Sequence, residues 1–81
     1  MHELQERLVQ LIVAVVERLE WLDVQPTVRQ VSIALGQGDG WAKRILRRAE
    51  SEGALVLHRE YVVQAKAEFD VYRLPAVREG L

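Results

Sequence analysis

Between Pro26 and Gly53 the chain reads PTVRQVSIALGQGDGWAKRILRRAESEG, two helical periods separated by a glycine-rich turn. Thr27 offers a hydroxyl N-cap, and Gln30 stands three residues on, the spacing of a capping box. Val28, Val31, Ala34 and Leu35 share one side of the first period, so a helix is expected over 27–35. Gly36 is placed to end it in the left-handed conformation. In the second period Ala42, Ile45, Leu46 and Ala49 recur at i, i+3, i+4 and i+7, the expected buried side of a helix over 40–51. Gly53 stands at the C′ position of that helix.

At about 100° per residue, Gly40, Lys43, Arg44, Arg47 and Ser51 fall opposite the buried side, while Trp41 and Arg48 share one flank. Lys43–Arg47 and Arg44–Arg48 are like-charge pairs at i, i+4, which cost a helix a few tenths of a kcal/mol each. One explanation is a solvated face with helix-internal ion pairs, such as Lys43 or Arg47 with Glu50 or Asp39. The other is a face kept for an anionic partner, and the tolerated repulsion favours it. Trp41 either packs between helix and hairpin or lies on a sugar-phosphate or partner surface. The turn Gly36-Gln37-Gly38-Asp39-Gly40 follows no strand and lacks the Lys-Ser/Thr of a nucleotide loop. It reads as a tight inter-helix connection, with Gly38 or Asp39 as the next N-cap.

Upstream, Leu4, Leu8, Leu11, Ile12, Val15, Leu19 and Leu22 define an apolar stripe and a first helix over 3–22. Val9, Val13 and Val16 fall outside that stripe. They are either scattered exposed valines or a second apolar face for another copy or another protein. Asp23-Val24-Gln25 is an extended link, because the residue before Pro26 is pushed out of the α region. Downstream, residues 54–74 are rich in β-branched and aromatic side chains and read as a β-hairpin with its tip at Gln64-Ala65-Lys66-Ala67. Pro75 ends the second strand.

The whole chain, 1–81, reads as one domain with an ordinary globular composition, 49% hydrophobic and 28% charged. Without cysteine it has neither disulfides nor thiolate metal sites, which fits a reducing cytoplasm. Met1-His2-Glu3 carries no basic n-region, so no signal peptide is expected, and Leu8 to Val16 is too short to span a bilayer. The net charge of −1 argues against an indiscriminate polyanion binder, but the distribution is polarised. Residues 1–25 set Arg7 and Arg18 against Glu3, Glu6, Glu17, Glu20 and Asp23, a balance of −3. Residues 26–49 set Arg29, Lys43, Arg44, Arg47 and Arg48 against Asp39, a balance of +4.

Leu35-Gly36, then Arg44, Leu46 and Arg47, then Glu50-Ser51-Glu52-Gly53 followed by Ala54-Leu55-Val56, resemble a winged helix-turn-helix domain. The likeness spans about residues 4 to 74, from the Pro26-Thr27 start of helix two to Val71-Tyr72-Arg73-Leu74. It resembles small prokaryotic transcription regulators, including those of phages and plasmids. The fold this implies is α+β, mainly α: three helices followed by a β-hairpin wing. The implied function is sequence-dependent binding of duplex DNA in transcription regulation, with helix three in the major groove and the wing on the backbone or minor groove.

The resemblance carries base reading to Gly40, Lys43, Arg44 and Arg47, with Arg48 beside them. Arginine suits this role because its planar fork reaches guanine O6 and N7 together. It makes Thr27 and Arg29 phosphate contacts, and Arg59 and Lys66 wing contacts. A reader this small calls for a homodimer, expected through helix one at Val9, Val13 and Val16. The alternative use of such a domain is as a protein-interaction module docking on a polymerase or another regulator. No enzyme activity, metal, cofactor, small-molecule ligand or membrane partner is expected, since His2 and His58 stand beside no nucleophile or ligand set.

Overall fold

Three helices and then a two-stranded antiparallel hairpin make up the fold in the computed structural model, which describes residues 2–76. Helix α1 is His2–Trp21, α2 is Val28–Leu35 and α3 is Asp39–Ser51; strands β1 (Val56–Val62) and β2 (Ala67–Arg73) follow. The class is α+β, mainly helical, and the order of elements is consistent with a winged-helix arrangement. Element ends fall within a residue or two of those expected, because local signals set them. Thr27 caps α2 with its Oγ1, which accepts from the Gln30 amide at 3.2 Å. The return arm of the capping box is replaced, since the Thr27 amide donates to the Gln25 carbonyl at 2.9 Å. Gly36 ends α2 at φ 65° and Gly53 follows α3 at φ 80°, a region open to glycine without a Cβ clash.

One core joins the three helices and β2. From α3 it takes Ala42, Ile45, Leu46 and Ala49, the four residues its period marks. From α2 it takes Val31, with Val28 and Leu35 at the edge; Ala34 is exposed, and Ser32 is buried instead. Two residues of β2, Val71 and Tyr72, are buried together with Leu55 just before β1.

Helix α1 departs from expectation. Its core residues are Val9, Ile12, Val16 and Leu19, whereas Leu4, Leu11 and Leu22 of the expected stripe are exposed. Val9, Val13 and Val16 are therefore no partner face: two are buried in the core and Val13 packs half-buried against it. Apolar residues occupy an arc of about 200° around α1, and the core uses a face turned by roughly 75° from the stripe's centre. The alanines on the buried face of α3 leave little height there, which suits close approach by the compact valines.

The hairpin pairs Val56 with Arg73 through to Val62 with Ala67. A single 3-10 turn, Val63–Ala65, closes it, with Lys66 in the left-handed region at φ 54°. The link before α2 does more than connect. Thr27 makes a β-bridge to Val71, and the Tyr72 amide donates to the Pro26 carbonyl at 2.9 Å, which fastens β2 to the start of α2.

A polar clamp fixes the other edge of the hairpin. The Arg73 guanidinium donates from Nε to Glu60 Oε2 at 2.6 Å and from Nη2 to Glu60 Oε1 at 2.8 Å, a forked pair across the strands. Its Nη1 reaches Glu20 of α1 at 3.1 Å, and the Gln25 amide donates to Glu60 at 3.0 Å. These hydrogen bonds, from Arg73 first and then Gln25, hold the Glu60 carboxyl down at about 2, against 4.5 ordinarily, with burial opposing them. The folded state thus gains stability that is complete above the ordinary value and is lost as pH falls toward 2. Such a displacement is equivalent to about 3 kcal/mol, and with these side chains 24% and 32% exposed, screening brings the expected contribution to about 1–2 kcal/mol. The melting temperature should fall across that acid window, and Glu60→Gln should flatten the fall while lowering the neutral-pH midpoint. An acid limb identical in wild type and Glu60→Gln would show that the clamp contributes nothing.

Candidate functional site

The outward row of α3 is as the period requires: Gly40, Lys43, Arg44, Arg47 and Ser51 are all exposed. Lys43, Arg44 and Arg47 have no ion-pair partner among the described residues, so the helix-internal pairs with Glu50 or Asp39 do not form. Asp39 turns the other way. Its Oδ1 accepts from the buried Ser32 hydroxyl at 2.6 Å, and its Oδ2 lies 3.4 Å from the Arg29 guanidinium. The carboxylate is a strut from the first turn of α3 to α2, where it also favours the helix dipole. Gly38, without a side-chain bond, is the N-cap.

The remaining expected contacts divide. Thr27 is 8% exposed, with its Oγ1 accepting from the Gln30 amide and its own amide donating to the Gln25 carbonyl, so it serves the α2 cap and offers little surface for a phosphate contact. Arg29 stays on the surface with its charge offset by Asp39. Arg48 lies 3.0 Å from Glu52, an i, i+4 pair that takes it out of the free row. Arg59 bonds Asp70 at 3.1 Å and lies 3.9 Å from Glu68, so its charge is more than offset by the two carboxylates. Lys66, at the tip, is exposed and unpaired among the described residues. Trp41 is half-buried and packed against the core, with part of its surface open to solvent.

Two features lay beyond the sequence reading. A groove of about 750 Å³ separates the starts of α2 and α3 from the hairpin, with Arg29 and Lys43 on one wall and Arg59, Val62 and Phe69 on the other. Its existence depends on how the hairpin docks, which no local pattern records. Exposed apolar side chains also run along the hairpin: Leu57, Tyr61, Val63 and Phe69. The register sets Leu57 and Tyr61 on the face of Tyr72 and Phe69 on the face of Val71, so alternation along the strands does not single them out. Tyr72, by contrast, is buried, and burial pushes its hydroxyl above the ordinary value while nearby Arg47 opposes the rise.

No helix among the described residues is long and apolar enough to cross a membrane. No family model matches this chain, and no curated protein or solved structure matches it either.

Proposed function

We propose that the protein binds duplex DNA in a sequence-dependent way and regulates transcription, with α3 in the major groove and the hairpin on the backbone or minor groove. The observation that carries this is selective charge pairing. Arg29, Arg48, Arg59 and Arg73 each have a carboxylate partner, whereas Lys43, Arg44 and Arg47, gathered on one exposed face of α3, have none among the described residues; Arg7 and Arg18 of α1 also have none but lie apart from each other, about three turns along the helix. Unpaired cations in a row on a helix of major-groove width supply both counterion release and donors for guanine. Gly40 removes bulk at the start of that row. Lys66 extends the free positive charge to the wing tip. Such a regulator acts in the cytoplasm, without catalysis, cofactor, metal or small-molecule ligand.

The exposed apolar side chains of the hairpin favour a second use, docking on a polymerase or another regulator. Selection of duplexes from a random pool at near-physiological salt, followed by sequencing, separates the two. A recovered motif is the expected result. Retention only at low salt, with no motif, would reduce the binding to nonspecific electrostatics and leave the docking role.

A further inference from the structure

The turn of α1 onto its valine face leaves an apolar seam outside. Leu4, Leu8, Leu11, Val15, Arg18 and Leu22 follow alternating steps of four and three, the a/d spacing by which two helices pair. Leu8 and Val15 rest half-buried against the core, while Leu4, Leu11 and Leu22 are 64%, 46% and 50% exposed. Trp21, 75% exposed, flanks the seam with Arg7 and Ala14. Arg18 is its one polar member, and it leans aside, its guanidinium 5.1 Å from the centre of the Trp21 ring.

We infer that this seam pairs with the same seam of a second copy, in the antiparallel sense. A two-fold interface needs a self-complementary patch, and a heptad stripe is one. A parallel pair would set Arg18 against Arg18. The antiparallel pair sets Leu4 against Leu22, Leu11 against Val15 and Leu8 against Arg18, and keeps the two arginines about 15 Å apart along the axis. It brings Ala14 to the two-fold axis, where a small side chain lets the helices approach. It also brings Arg7 of one copy beside Trp21 of the other, a second cation for an indole covered on one side only.

The three leucines, Trp21 and the edges of Leu8, Ala14 and Val15 offer on the order of 500 Å² per copy, about 1,000 Å² for the pair. That is the lower bound for a specific interface, so association is expected in the micromolar range. The pairing is independent of the DNA reading and is measured without DNA.

Sedimentation velocity on the full chain, from about 1 to about 100 µM, should show the mass doubling with concentration. Leu11→Glu should abolish the doubling while leaving the circular dichroism melt near that of wild type, because the site is half-exposed. Arg18→Leu, which completes the apolar seam, should tighten the dimer by about tenfold or more. The inference falls if wild type stays monomeric throughout, if Leu11→Glu dimerises as wild type does, or if Arg18→Leu fails to tighten association. Should Leu11→Glu lose its melt, the Arg18→Leu arm alone decides. Arg44→Ala with Arg47→Ala should leave the mass unchanged, which keeps this outcome apart from that of the DNA proposal.

Discussion

Val16→Asp should leave the protein without a cooperative thermal transition. Val16 is fully buried in the middle of α1, packed in the same cluster as Ile12, Val31 and Leu46. No cationic side chain belongs to that cluster, so an aspartate there must stay charged at high desolvation cost or bind a proton. Either route costs about 4 kcal/mol or more, against a total stability of roughly 4–12 kcal/mol for a domain of this length. Circular dichroism melts of Val16→Asp and Leu11→Glu make the comparison direct, since both introduce one acid on the same helix. The first should be unfolded at room temperature and the second should melt near wild type. The reverse pattern would restore Val9, Val13 and Val16 as the free face and overturn the packing of α1 described above.

Replacing Arg44 and Arg47 together by alanine should remove most of the affinity for a selected duplex while leaving the fold intact. Two arginine contacts at about 1–2 kcal/mol each give about 2–4 kcal/mol, or roughly thirtyfold to a thousandfold in dissociation constant. Fluorescence anisotropy over a salt series distinguishes the kind of contact. If the arginines read bases, the loss is concentrated at particular positions of the motif; if they neutralise phosphates, the salt slope falls by about one per arginine and all sequences suffer alike. Stability should hold or rise slightly, because the like-charge pairs Lys43–Arg47 and Arg44–Arg48 are relieved. Arg48→Ala is the matched control: its guanidinium is committed to Glu52, so its loss should change affinity far less. Undiminished binding by the double variant would sink the assignment of α3 as the reading helix and turn attention to the hairpin.

The parts of this protein legible in its sequence are those whose causes lie within a turn or two of chain. Thr27 capping α2, Gly36 and Gly53 closing two helices, and the four-residue buried face of α3 each rest on groups a few positions apart. The outward row Gly40, Lys43, Arg44, Arg47 follows from that buried face by geometry alone. The tertiary structure decided what depends on how elements meet. An apolar arc of about 200° on α1 admits several phases, and the approach of α3 and the hairpin selected the valine side: Ile12 and Leu19 of the expected stripe stay in the core, Val9 and Val16 join them, and Leu4, Leu11 and Leu22 are left outside. The same holds for charge. Which cations are free is fixed by carboxylates that arrive from elsewhere: Asp39 from the next helix for Arg29, and Glu60 and Glu20, 13 and 53 residues away, for Arg73. Composition counts charges, but only the fold pairs them, because an ion pair is a property of distance in space and not of order along the chain.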